Sequence, residues 1–309
     1  MKKLVASLSF FLFIFSLIAC EEKIDEDELA QIGSNNCRQI APFVSHTPIN
    51  PIRAAFSSDA QGIKGIELIQ LPLHEHDSII RYHHPSWVKY GYMGSVVTDD
   101  KGNAYTFPIP FVNTLNQTFE EINSIYKIDA NTAEMSRYLK LPKQDSTQGI
   151  VPYGLLGIYF DCHGKILYAA SVSGSTRDKE NGTIYAIDYN TKEIVDTYHG
   201  IDAFGLCVGG VTGQKRLFFG SGRNASIYSL ELSKKGKFKG KHQLELNLDN
   251  LGPRGDDKAR KIRFDKSNNM IIHGIEFNYS LAAPSIKPET VYKFGYNFEK
   301  KQWVLMELH

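Results

Sequence analysis

Ser124-Ile125-Tyr126-Lys127-Ile128-Asp129 and Thr183-Ile184-Tyr185-Ala186-Ile187-Asp188 are one phrase written twice, and the fold follows from it. Two further copies are Ser226-Ile227-Tyr228-Ser229-Leu230 and Thr290-Val291-Tyr292-Lys293-Phe294. Each opens on Ser or Thr, sets a β-branched residue before a Tyr, and so favours a strand. Turn chemistry follows each: Asp129-Ala130-Asn131-Thr132, Asp188-Tyr189-Asn190-Thr191, Ser233-Lys234-Lys235-Gly236 and Asn297-Phe298-Glu299-Lys300. A hairpin precedes each copy. Val96-Val97-Thr98-Asp99-Asp100-Lys101-Gly102-Asn103-Ala104-Tyr105 parallels Ile158-Tyr159-Phe160-Asp161-Cys162-His163-Gly164-Lys165-Ile166-Leu167-Tyr168, and residues 206–219 and 262–272 repeat the form. Gly, Asn and Asp in these turns tolerate the left-handed backbone that tight hairpins need.

Four short strands recurring every roughly 45–60 residues predict an all-β fold, a β-propeller of five or six four-stranded blades. Residues 94–142, 154–200, 204–247 and 260–308 supply four blades, and residues 38–90 supply at least one more, with 52–56 and 63–71 as its clearest strands. Closure is expected over an open solenoid or sandwich because it removes exposed strand edges.

The first residues read differently. Lys2 and Lys3 precede an apolar run from Leu4 to Ile18 that is short for a membrane span, the layout of a signal peptide over residues 1–19. Leu17-Ile18-Ala19-Cys20 resembles the lipobox of bacterial lipoproteins, which implies cleavage before Cys20 and acylation (palmitate) on its sulfur. Acyl chains contribute about 0.8 kcal/mol per buried methylene, so the expected partner is a lipid bilayer held through Cys20. Residues 20–36 are acidic and polar and predict a flexible tether to a domain spanning 37–309. Acidic residues just after the cysteine also resemble the surface-export signals of Bacteroidetes lipoproteins. The expected location is therefore the cell envelope, at the outer membrane, facing either the periplasm or the cell surface.

Of 35 basic and 34 acidic side chains, the signal peptide removes Lys2 and Lys3 alone, leaving a net charge of about −1. That balance gives no reason to expect nucleic acid as a partner. Cys37, Cys162 and Cys207 remain after lipidation; they permit at most one disulfide, and their roles stay open.

Strands of a blade run a to d from the axis outward, so a–b and c–d turns share one face while b–c and d–a loops share the other. The long connections, 108–123, 173–182, 276–289, 143–154 and 248–259, all belong to the second face. Elaborating one face of a rigid scaffold is a usual way to build a binding site. Residues entering the inner strands there are the candidates: Tyr92, Tyr153, Asp202, and Arg254, Asp256, Asp257 and Lys258 from a charge-dense segment, residues 252–261. They suit a small polar molecule or an envelope protein as ligand. Asp256 and Asp257 are the candidate ligands of a divalent metal, Ca²⁺ or Zn²⁺.

Residues 94–300, through phrases such as Gly154-Leu155-Leu156-Gly157-Ile158-Tyr159-Phe160-Asp161, resemble the gluconolactonase-like (senescence-marker) six-bladed propellers. The resemblance implies a divalent metal over the axis and a hydrolase, with Asp256 or Asp257 as the acid before the last inner strand. The early Glu-Gly-Pro phrase of that family has no counterpart here, and Tyr153 stands where an asparagine is expected. His74-Glu75-His76 with His83-His84 is a second imidazole cluster, read as a polar blade edge. No nucleophile elbow, P-loop or His-Glu-x-x-His motif is present. The sequence thus leaves two readings, a ligand-binding module and, as the alternative, a metal-dependent hydrolase.

Overall fold

The repeated phrases become the third strands of successive antiparallel sheets. The computed structural model describes residues 39–58, 64–74, 77–110, 121–142, 153–211, 214–279 and 289–309. The expected signal peptide and tether, with Cys20 and Cys37, therefore lie outside the described residues. Nineteen described strands form five sheets, each a simple meander. The first holds β1 (Ala54–Ser57), β2 (Glu67–Gln70) and β3 (Ile80–Tyr82); the second holds β4 (Val97–Thr98), β5 (Ala104–Thr106), β6 (Ser124–Ile128) and β7 (Met135–Lys140). The third holds β8 (Leu155–Asp161), β9 (Ile166–Ser171), β10 (Thr183–Asp188) and β11 (Ile194–His199); the fourth β12 (Ala203–Val211), β13 (Gln214–Ser221), β14 (Ser226–Leu232) and β15 (Phe238–Asn247). The fifth holds β16 (Lys258–Phe264), β17 (Met270–Ile275), β18 (Thr290–Asn297) and β19 (Gln302–Leu308). The fold is a five-bladed β-propeller, so five blades, not six, is the count. In the first blade the chain passes from its third described strand into a 3-10 helix, Pro85–Tyr90.

Turn chemistry is what makes the repeat work. Asp129 Oδ1 accepts from the amides of Asn131 (2.9 Å) and Thr132 (3.2 Å), and Asp188 Oδ1 does the same for Asn190 and Thr191, both at 2.8 Å. Each loop then closes through a left-handed residue, Ala133 or Lys192. Asp99 and Asp265 cap the a–b turns of the second and fifth blades in the same way, each accepting from the amide and side chain of an asparagine four residues on.

Inner strands are sandwiched between neighbouring blades and outermost strands meet water. Thus β8 and β9 are buried along their whole length, while β15 is exposed or half-exposed. Apolar side chains between the sheets form the core: one cluster joins the third to fifth blades, one the second and third, and one the first and second around Trp87. Polar contacts tie adjacent turns as well. Lys165 pairs with Asp100 and Lys215 with Asp161, each reaching back one blade, and the Tyr189 hydroxyl donates to Asp99 at 2.6 Å.

The chain joins the domain on the tight-turn face. Gln39 N donates to Asp99 O (3.5 Å) in an a–b turn, and Phe43 N to Ala130 O (3.0 Å) in a c–d turn. Cys162, in the a–b turn of the third blade, is disulfide-bonded, whereas Cys207 is a buried free thiol. The partner of Cys162 lies outside the described residues.

Candidate functional site

Asp202 and Asp257 occupy equivalent positions, each the last residue before an inner strand, β12 or β16. Neither side chain is exposed to solvent. Asp202 accepts from the Ser175 hydroxyl, the Gly182 amide (2.9 Å), Arg223 (2.5 Å) and the Tyr279 hydroxyl (2.7 Å). Asp257 accepts from Arg254 and from the Tyr292 hydroxyl (2.7 Å). Burial alone would raise the Asp257 pKa; the hydrogen bonds from Arg254, Tyr292 and Thr290 outweigh it and hold the carboxyl below its ordinary range. These two acids therefore brace the b–c and d–a loops to the inner strands. Asp256, 68% exposed, points away from its neighbour and pairs with the buried Lys258. Asp256 and Asp257 thus do not converge, and among the described residues no group of three His, Cys, Asp or Glu is placed to hold a metal.

One opening among the described residues lies on the axis. A cavity of about 310 Å³ is bounded by the inner strands of all five blades, from Phe56-Ser57-Ser58 and Ser95-Val96-Val97 round to residues 260–264. Three inner strands carry an extra residue at one shared position near the loop-rich end. Register shifts between Leu155 and Gly157, Phe204 and Leu206, and Ala259 and Lys261 leave Leu156, Gly205 and Arg260 as the bulged residues. Bulges re-aim side chains and cluster beside functional sites. Gly205 is required here: its φ is 56°, and a Cβ would stand 2.5 Å from Ala259 O and 2.8 Å from Arg260 O. The close approach seats Arg260 at the cavity wall, where it pairs with Glu289. Burial would raise the Glu289 pKa, but His273 (3.0 Å) and Arg260 lower it overall.

Aromatic rings stand at the loop-rich end of the same strands. Tyr153, just before β8, meets Phe277 edge-on at 5.3 Å, and Phe277 packs against Phe204 at 4.9 Å and Tyr279 at 5.3 Å. Phe204 immediately precedes the cavity-lining Gly205, so this cluster stands at the loop-rich end of the inner strands, next to the cavity and outside its wall. Burial raises the Tyr153 pKa. Tyr92 sits elsewhere, its backbone bridging Gly65 and accepting from the Ile109 amide. The histidine pairs do not gather: His83 and His84 pack on Trp87 at 5.6 and 6.1 Å, and Glu75 and His76 lie outside the described residues.

Of the expected residues, Tyr153 alone joins this cluster with its ring, while Asp202, Arg254 and Asp257 brace the neighbouring loops. Sequence reasoning missed Phe204, Phe277 and Arg263. One signal was available: Lys258-Ala259-Arg260-Lys261-Ile262-Arg263 places cations along an inner strand whose counterparts, Leu155-Leu156-Gly157-Ile158 and Ala203-Phe204-Gly205-Leu206, are apolar.

Fold and site together define a β-propeller with an axial cavity. Similar solved structures include an exo-β-1,3-galactanase from Phanerochaete chrysosporium, with galactotriose, at 11% identity and TM-score 0.50, covering 82% of this chain and 60% of that one. A protein of unknown function from Bacteroides caccae matches at 10% identity and TM-score 0.46, covering 83% and 73%. At such identities the likeness concerns the fold alone. No protein-family model and no curated protein matches the chain.

Proposed function

We propose that the chain is a lipid-anchored envelope protein whose propeller binds a small polar ligand in the axial cavity and on the loop-rich face next to it. The observation that carries this reading is the cavity itself. It is bounded by five rigid inner strands, and half-buried rings stand beyond it at their loop-rich end. A volume near 310 Å³ lies at the lower end of ordinary ligand sites and suits a molecule of one ring, such as a monosaccharide or its acid. Aromatic faces beside charged groups are a common way to hold such a ring.

The anchor agrees with this use. Gln39 and Phe43 attach to the tight turns, so a tether from an acylated Cys20 would reach the domain opposite its loop-rich face. The loop-rich face then points away from the membrane, toward periplasm or medium. Thermal unfolding with a panel of monosaccharides and sugar acids tests the binding reading. At least one should raise the Tm of the wild type and leave that of Phe277→Ala unmoved; a response unchanged in Phe277→Ala and in Tyr153→Ala places the site elsewhere. Cys20→Ala should move the protein from the membrane to the soluble fraction, and retention at the membrane would remove the anchor.

A further inference from the structure

We infer that the tight-turn face of the fourth and fifth blades is a docking surface for an anionic phospholipid bilayer. Six lysines crowd the turn tips there: Lys234, Lys235 and Lys237 between β14 and β15, Lys266 between β16 and β17, and Lys300 and Lys301 between β18 and β19. All six are exposed, and none makes a side-chain hydrogen bond or ion pair among the described residues. The same three turns hold two acids. Asp265 is folded onto its own loop, accepting from the amides of Ser267 (2.8 Å) and Asn269 (2.9 Å), and Glu299 is exposed beside Lys300. In the second and third blades the equivalent turns carry more acids than lysines, and Lys165 there is paired with Asp100. Charge over residues 20–309 sums to about −1, so the excess on the fourth and fifth blades is local.

Phe298 stands on the same surface, at the tip of the turn that carries Lys300 and Lys301. Its ring is 70% exposed and meets Tyr296 edge-on at 5.2 Å. A single exposed ring is ordinary on a protein surface. Beside free lysines it forms an interfacial pattern, with cations for headgroup phosphates and an apolar group for the acyl boundary. Each lysine held near an anionic bilayer strengthens binding about fivefold. Position favours a bilayer over a soluble partner. Gln39 and Phe43 attach to the second blade on this face, and in a ring of five that blade lies across from the junction of the fourth and fifth. An anchor at one edge alone leaves the propeller free to tilt. A second contact across the ring holds the tight-turn face against the membrane and the loop-rich face outward. The inference takes its setting from the lipid-anchored reading above, but the lysines and Phe298 do not depend on acylation. Residues 21–28, rich in Glu and Asp, are the other anion that the chain supplies.

Vesicle co-sedimentation tests this with residues 20–309 carrying Cys20→Ser, a chain that keeps every described blade and cannot be acylated there. It should pellet with vesicles of equal parts phosphatidylethanolamine and phosphatidylglycerol and stay in solution with phosphatidylcholine. Binding should disappear at about 0.5 M salt, where the Debye length is about 4 Å. An acyl anchor withstands that wash, so failure of this surface and failure of the anchor are distinguishable. Joint replacement Lys234→Gln, Lys235→Gln and Lys237→Gln should weaken partition at least about tenfold and leave the Tm unchanged. A lowered Tm would mark these lysines as structural and overturn the inference; Lys266→Gln, Lys300→Gln and Lys301→Gln together repeat the comparison should the first variant fail to fold. Phe298→Trp should shift its emission to the blue on the anionic vesicles and not on phosphatidylcholine. Equal pelleting with both vesicle types, unaltered partition of the lysine variant, or an unshifted emission would overturn the inference. So would binding that appears only when the acids of residues 21–28 are changed to their amides, because the lysines would then belong to the tether.

Discussion

The Arg223 guanidinium lies 4.4 Å from the centre of the Tyr279 ring, and both side chains end on the same buried carboxylate, Asp202. Arg223 also donates to the carbonyls of Thr176, Arg177 and Lys179, so one arginine gathers a whole b–c loop. Removing one member of a buried pair strands the other. Asp202→Ala should therefore lower the unfolding free energy by about 3–5 kcal/mol. Urea denaturation measures it, and a loss under about 1 kcal/mol would show that the network is redundant.

Acid should loosen the fifth blade. Asp257 and Glu289 both have folded pKa values below their ordinary ones, despite burial that pushes the other way. Such groups contribute stability that is complete above the ordinary carboxylate range and disappears as pH falls through the lowered values. The Tm should thus decline below about pH 4. In Asp257→Asn that decline should be shallower, though from a lower starting Tm; an identical slope would assign the acid sensitivity to other groups.

Trp87 holds the first blade to the second. Its ring is fully buried against Phe43, Phe56, Tyr82 and His83, and its indole N–H donates to Ala133 O at 2.7 Å. Trp87→Ala should cost about 3–5 kcal/mol. Limited proteolysis should then cut preferentially before β4; protection equal to the wild type would show that the first blade is held by other contacts.

The disulfide can be mapped directly. Cys162 is bonded and Cys207 is free, and an acylated Cys20 leaves Cys37 as the expected partner. Non-reducing peptide mapping should find Cys37 joined to Cys162, and Cys162→Ser should destabilise by about 2–4 kcal/mol. A thiol reagent should label Cys207 only after unfolding. Recovery of free Cys37 from the oxidised native protein would contradict the pairing.

Much of the fold was legible because the repeat is local. Ile-Asp-x-Asn-Thr-x-Glu, present at 128–134 and 187–193, carries its own turn in its side chains, and each Tyr-centred strand needs no distant partner to be recognised. The first blade was harder. Its strands are short, and its outer position is followed by a 3-10 helix that packs through Trp87, so the count of five or six stayed open. The site was the least legible part. Asp202 and Asp257 look like ligand groups in sequence, yet each satisfies buried donors from residues distant in the chain, Tyr279 and Tyr292 among them.

The sequence by itself determined the all-β repeat, the tight turns and the division into a plain and an elaborated face. These follow from residue type and spacing within a few positions. Tertiary structure alone decided the closure at five blades, the burial of the acids, the bulges at Leu156, Gly205 and Arg260, and the cavity they surround. The physical reason is that an inner strand's exposed edge becomes a wall only when the other four stand round it. Whether a charged side chain there meets a partner or an open space is settled by strands far away in the chain.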